Sequence, residues 1–567
     1  MTLHEWASAP ALGRELLGLD VYQDVAVPMR DGVQLSADVY VPEGAPVPAL
    51  LLRTPYNKRV GEVEGYAHPS WYARQGFVVV VQDVRGTYSS GGELRPFHQE
   101  AADGYDTIEW VAAQPWCDGQ VGTYGFSYPG ATQMLAAGEA PPSLKAMAPA
   151  MTGSSYHEGW TYHGGALQLA FVLSWATGLG RDQAVRAGDT EAVDAFDALL
   201  RSPQEVFARL PVREALPPEL LRYAPFLTEW LDHPDYDEYW RAVAPKERYD
   251  AMEVPALHVA GWYDVFLEGT LENFAALKAR GEAPQSLIVG PWYHMPWTST
   301  VGEIGFGAEA RNLVDEAQLR FFRRTLLGEK SGPEPAVRLF VMGENGWRSF
   351  ETWPPESAEL RLHLRSDGRA SSLNGTGALS TDPPALHESP DVWPSDPNIP
   401  VLSLGGRSAS SAYLTPMGAY DQQSEEGRND VLVFTSEPLT EPLTVIGVPV
   451  AHIFAAADSP SCDIVTRLVD VHPDGTAINV SDGNVRAWWN ETGVREFEIA
   501  MSPTAITFDT GHAVRLEVAG TSFPVLDRNP GTQVRAVNAR AHELRVVTQV
   551  VFHDRERPSS VRLPIVR

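Results

Sequence analysis

Cysteine is scarce. The 567-residue chain holds two, Cys117 and Cys462. Two thiols so far apart make neither a disulfide framework nor a zinc-ligand cluster, and they read as buried free thiols. Basic residues are also in short supply: 44 Lys and Arg face 73 Asp and Glu, which leaves a net charge of −29. Nucleic acid is thereby excluded as a partner, because its binding depends on cationic side chains neutralising phosphates. The same charge disfavours adsorption to anionic membranes. No apolar run reaches the roughly 20 residues of a membrane span. The N-terminus, with Glu5, Glu15 and Asp20, lacks a basic-then-apolar leader, so a cytoplasmic protein is expected. The stretch from Gly86 to Gly92 has neither the lysine of a phosphate loop nor a dinucleotide-binding spacing. His157, His163, His452 and His472 show no H-E-x-x-H pairing. No metal and no organic cofactor is expected.

What is present suits a globular chain with large cores. Hydrophobic residues make up 44%, aromatic residues 10% and charged residues 21%. The length allows two to four domains. Val33 to Val41 alternates apolar and polar residues like a half-exposed strand. Ala49 to Leu52, Phe77 to Val81 and Val121 to Tyr124 are short apolar runs suited to strands buried on both faces. Glu100 to Ala113 and Ala131 to Ala140 between them have helical spacing. Strands alternating with helices imply an open α/β sheet. Residues 149–243 instead carry helical patterns at Leu167 to Trp175, Glu191 to Leu200 and Pro218 to Trp230. Strands return at Ala256 to Ala260 and Ser286 to Val289, followed by a helix at Val314 to Leu327. After Trp353-Pro354-Pro355, short alternating strands separated by Gly, Pro, Asp and Asn suggest a β-sandwich. The expected architecture is an α/β domain over 1–148 and 244–353, a helical cap over 149–243 inserted into it, and an all-β jelly-roll domain over 354–567. Trp488-Trp489 reads as sandwich core.

Gly125-Phe126-Ser127-Tyr128-Pro129-Gly130 follows a strand and opens a helix, the setting of a nucleophile elbow. A bare G-x-S recurs at Ser408 and Ser522, both in the β-rich part, so the strand–helix context singles out Ser127. A serine nucleophile needs a base, and the base needs an orienting acid. Two later strand ends run into Gly261-Trp262-Tyr263-Asp264 and Gly290-Pro291-Trp292-Tyr293-His294. They deliver Asp264 and His294 in the chain order serine, acid, histidine that α/β-hydrolases use.

Together with Arg53-Thr54-Pro55-Tyr56-Asn57-Lys58 and Gln82-Asp83-Val84-Arg85-Gly86, these motifs make the chain similar to the cocaine-esterase branch of the X-prolyl dipeptidyl peptidase family of α/β-hydrolases. The likeness extends to Val431-Leu432-Val433-Phe434-Thr435, Leu468-Val469-Asp470-Val471 and Ser522-Phe523-Pro524. It implies an esterase or amidase with Ser127, Asp264 and His294 as its triad. It also implies an oxyanion hole made by the Tyr56 hydroxyl and the Tyr128 backbone N–H. Trp160 and Trp175 resemble the branch's aromatic acyl-pocket residues, and with Phe266 they are expected to bind substrate. Amine-reading relatives place acidic residues just after the triad aspartate, whereas Val265, Phe266 and Leu267 stand there here, with Glu268 beyond. The expectation is an esterase for small molecules with uncharged, apolar or aromatic acyl groups. The alternatives are an X-prolyl dipeptidyl peptidase, an α-amino acid ester hydrolase or acylase, and a carbohydrate-binding protein. A homodimer is the candidate assembly. The resembling esterase walls its acyl pocket with apolar residues after a Gly-Gly pair, but here Gly405-Gly406 leads into Arg407-Ser408-Ala409-Ser410-Ser411.

Overall fold

The computed structural model describes residues 18–61, 65–294, 297–330, 332, 334–409, 415–489 and 493–567. Its first sheet has ten strands: β1 (Asp20–Pro28), β2 (Gln34–Val41), β3 (Val47–Thr54), β4 (Val78–Asp83), β5 (Cys117–Phe126), β6 (Leu144–Ala150), β7 (Ala256–Tyr263), β8 (Gln285–Tyr293), β9 (Val337–Val341) and β10 (Gly346–Phe350). Their spatial order is β1-β2-β4-β3-β5-β6-β7-β8-β9-β10. Strands β4 to β9 are paired parallel, while β1, β2 and β10 pair antiparallel at the two edges. This is an α/β-hydrolase sheet. Helices α1 (Glu100–Ala112), α2 (Tyr128–Ala137), α6 (Leu267–Arg280) and α7 (Val314–Leu326) pack against it.

Burial on both faces explains the Val- and Leu-rich runs of β3 and β4, all of whose residues beyond Val47 are buried. β2 departs from its expected half-exposed character. All its residues after Gln34 are buried, including the polar Ser36 and Asp38. Their partner is the ammonium of Lys58, which comes from a distant loop and so leaves no mark on the local pattern. The inward face of α1 uses Gly104, Thr107, Ile108 and Val111, while Tyr105 is only half-buried.

Between β6 and β7 lie α3 (Leu169–Ala187), α4 (Thr190–Arg201), α5 (Pro225–Asp232) and several short helical turns. The helical pattern of Pro218 to Trp230 is broken in two, because Pro225 begins a new helix and Ala224 before it is not helical. Beyond β10 the structure is β-rich. A thirteen-stranded sheet includes β11 (Ala358–Arg365), β12 (Val431–Ser436), β13 (Val450–Ala457), β14 (Ser461–Val471), β15 (Ala477–Trp488), β16 (Ala513–Ala519), β17 (Val547–Phe552) and β18 (Ser560–Ile565). Trp489 belongs to its core, but Trp488 is 40% exposed because β15 ends there and turns its ring outward. Among the described residues no helix is long and apolar enough to cross a membrane.

Candidate active site

β5 runs out at Phe126 and α2 starts at Tyr128, so Ser127 occupies the turn between them. Its φ of 65° lies in the left-handed region, a strained conformation for a serine. Two bonds hold it there, from the Ser127 N–H to the carbonyls of Ala150 and Met151 at 3.0 and 3.2 Å. The flanking glycines are steric requirements. A Cβ on Gly125 would stand 2.5 Å from Pro129 Cβ, and one on Gly130 would stand 2.7 Å from Thr152 Cβ. Pro129 fits the first turn of α2, where an amide has no intrahelical acceptor. For the same reason the Tyr128 N–H, at the first helical position beside Ser127, has no acceptor within its own helix. The Tyr128 side chain is fully buried and donates to Glu100 Oε1 at 2.9 Å.

β7 and β8 lie side by side, with Gly261 paired to Gly290, so their ends bring Asp264 and His294 together. His294 Nδ1 lies 2.7 Å from Asp264 Oδ1, and His294 Nε2 lies 2.9 Å from Ser127 Oγ. An acceptor-only carboxylate at Nδ1 makes that nitrogen the donor and leaves the Nε2 lone pair facing the serine hydroxyl. All three residues are buried. The arrangement can carry the serine proton to the imidazole and stabilise the resulting cation.

Ser127 and His294 open into a cavity of about 270 Å³. Leu52, Tyr56, Phe126, Phe171, Trp175 and Ala409 are among its walls, and among the described residues no Asp, Glu, Lys or Arg lines it. Of the three expected pocket aromatics, Trp175 lines the cavity. Trp160 and Phe266 do not: both are buried one layer behind, stacked on each other at 4.2 Å, with Phe266 edge-on to His294 at 4.9 Å. Phe171 takes a wall position that the sequence reading missed. It precedes Trp175 by four residues on α3, and this helical spacing was the available signal.

The Trp175 indole N–H also donates to Tyr56 Oη at 2.9 Å, which joins the inserted helices to the loop after β3. A deeper network holds that loop. Asp83 Oδ1 accepts the Lys58 N–H at 2.6 Å, and Lys58 Nζ reaches Asp24, Asp83 and Asp38 at 2.7, 3.4 and 3.7 Å. Burial alone would pull the Lys58 ammonium down, but the three carboxylates outweigh it and leave its pKa above the ordinary lysine value.

The β-rich part contributes directly to the site. Ser408 forms an isolated β-bridge with Asp264, and Ala409 reaches the cavity. Ser410 and Ser411 lie outside the described residues. Arg407 turns away to a charged cluster, donating to Glu268 Oε1 at 2.7 Å and Asp482 Oδ1 at 3.1 Å, with His163 Nε2 at 2.9 Å. Glu268, the one acidic residue close behind Asp264, is therefore already paired.

Comparison with known proteins agrees with this architecture. The family model of the X-Pro dipeptidyl-peptidase (S15 family) matches residues 31–296, and that of the X-Pro dipeptidyl-peptidase C-terminal non-catalytic domain matches residues 330–562. A cocaine esterase from Rhodococcus sp. is 36% identical over 96% of this chain and 99% of its own. Among solved structures, an aminopeptidase from a marine-sediment Thaumarchaeota archaeon superposes with a TM-score of 0.81 at 25% identity, covering 97% of this chain and 96% of that one. An α-amino acid ester hydrolase superposes with a TM-score of 0.77 at 26% identity, covering 97% of each chain. The likeness thus runs over nearly the whole chain, sheet and β-rich module alike, and the chain belongs to the X-Pro dipeptidyl-peptidase (S15) family of α/β-hydrolases, in its cocaine-esterase (CocE/NonD) branch, as a serine ester hydrolase.

Proposed function

We propose that the protein hydrolyses small-molecule carboxylic esters whose acyl group is uncharged and apolar or aromatic, through an acyl-enzyme on Ser127. His294 Nε2 takes the Ser127 proton as Oγ attacks the ester carbonyl carbon. Asp264 holds the imidazole tautomer and stabilises the imidazolium. The Tyr128 N–H and the Tyr56 hydroxyl stabilise the tetrahedral oxyanion. His294 then protonates the departing alkoxide, and water activated by the same imidazole releases the acid. In this reading residues 1–148 and 244–353 supply the triad, residues 149–243 roof the acyl pocket, and residues 354–567 close one wall through Ala409.

The observation that carries the acyl preference is the cavity lining, which among the described residues has no Asp, Glu, Lys or Arg beside the triad. An α-ammonium placed there would lose hydration without gaining a counter-ion, at a cost of several kcal/mol. The rival reading, an amino-ester hydrolase or aminopeptidase like the two structural relatives, would take Glu268, the first acidic residue after Asp264, as that counter-ion. Arg407 competes for it at 2.7 Å. Labelling by a fluorophosphonate should fall on Ser127. The deciding measurement is kcat/KM for phenylacetyl and phenylglycyl esters of one alcohol, with the phenylacetyl ester expected to react faster. A preference for the phenylglycyl ester that Glu268→Gln abolishes would transfer the protein to the amino-ester class.

A further inference from the structure

The β-rich part carries a cluster of titratable side chains that the Ser127 chemistry does not use. β14 and β16 pair antiparallel, with Asp470 opposite Val514 and Val471 opposite Ala513. The next step along this register sets His472 beside His512, and their rings lie 4.4 Å apart. Asp470 and His472 are two residues apart at the end of a strand, so they project to the same side. His512 Nδ1 lies 2.8 Å from Asp470 Oδ1, and His472 Nε2 lies 3.5 Å from Asp470 Oδ2. The three ligand atoms all fall within 4.8 Å of one another.

We propose that Asp470, His472 and His512 form a binding site for one divalent transition-metal ion of the zinc class. Two imidazoles and one carboxylate are a donor set that suits such ions. Bonds of about 2.1 Å in a tetrahedron space the donors about 3.4 Å apart, close to the 2.8 and 3.5 Å that separate the ring nitrogens from the Asp470 carboxylate. An ion pair between Asp470 and His512 would need only one imidazole. The second ring, its centroid 4.4 Å from the first, brings a second ring nitrogen to the same carboxylate. Asp470 is the buried ligand, while the His472 side chain is 34% exposed and leaves an open side for a water as fourth ligand. None of the three lines the cavity at Ser127. The ion would clip the turn between β14 and β15 to the start of β16, a structural role. The sequence reading set His472 aside for want of an H-E-x-x-H pairing, whereas here one partner, Asp470, lies two residues upstream and the other, His512, stands at the head of the neighbouring strand.

Full-length protein, stripped with a chelator and dialysed, would be titrated with zinc chloride by calorimetry and with cobalt chloride by visible absorption. One saturating equivalent is expected, with the strong d–d absorption of four-coordinate cobalt that zinc displaces. Zinc should also raise the thermal midpoint. Loss of a group that only supports a metal ligand costs 10–100-fold in affinity, so His472→Ala and His512→Ala should each weaken binding by about 100-fold or more. His452→Ala, which removes a ring paired with Glu496 and, among the described residues, in no three-ligand cluster, should leave binding unchanged. Absence of saturable binding in the wild type overturns the proposal, as does binding that survives both substitutions. Should the variants fail to fold, the wild-type cobalt spectrum decides alone, and a weak six-coordinate spectrum counts against the site.

Discussion

At Tyr56 a single hydroxyl separates two roles. As an oxyanion donor it matters mainly in the transition state, so Tyr56→Phe should lower kcat by about 10²–10³ and shift KM much less. A raised KM with unchanged kcat would make Tyr56 a ground-state contact. Trp175 is tied to the same hydroxyl by its indole N–H, and its ring packs on Tyr128 and Trp230 in the cap. Trp175→Phe keeps an aromatic wall but deletes the bond that orients the tyrosine. A net hydrogen bond is worth about 1 kcal/mol, so kcat should fall by roughly five-fold and KM for an aromatic ester should change little. A residue that only lined the acyl pocket would give the opposite split. Ser127 itself was legible from a strand, a glycine and a helix in sequence, because an elbow is a local structure. The indole–hydroxyl pairing was not, since 119 residues separate its partners.

The loop after β3 depends on an element that periodicity misread. Asp38 on β2, Asp83 at the end of β4 and Asp24 on β1 converge on Lys58, and the first two are fully buried. Burial raises the pKa of both Asp38 and Asp83. Among the described residues, removal of the ammonium would leave Asp83 in the interior without its cation and Asp38 with Arg59 alone, at 3.7 Å. Lys58→Met should therefore destabilise the fold by about 3–5 kcal/mol, read as a lower denaturation midpoint. Tyr56, two residues upstream, should lose its placement, so kcat should drop even in the folded fraction. A variant that keeps full stability would show that the network adds nothing to the loop. The alternation in β2 was visible in the sequence, but the identity of what its polar face meets was not, because that partner lies on another element.

On the scale of the whole molecule, buried charges sit where the parts meet. Arg407 from the β-rich part joins Glu268 of α6 and His163 of the insertion. Asp527 makes a second junction. Its Oδ1 accepts the Leu167 N–H at 3.0 Å and lies 2.8 Å from Arg486 Nη1. Burial pushes its carboxyl up to about 6, against the pull of Arg486. The folded state then holds this proton more tightly than the unfolded chain does, so stability falls as pH rises from near 4 to near 6 and levels off above. Asp527→Asn removes the titration and keeps an acceptor for Leu167. The thermal midpoint of the wild type, relative to that variant, should drop over this window. A constant difference across it would refute the raised carboxyl.

The sequence by itself determined the order of sheet, inserted helices and β-rich module, and it supplied Ser127, Asp264 and His294 at strand ends. Strand runs, helical spacing and an elbow are all set by neighbours within a few residues, so they are written locally. Tertiary structure alone decided which side chains stand at the cavity. It moved Trp160 and Phe266 back a layer, brought Phe171 and Ala409 forward, paired Glu268 with Arg407 and set His472 beside His512. Each of these depends on packing or strand register between segments far apart in the chain, and single-sequence patterns carry no record of such distances.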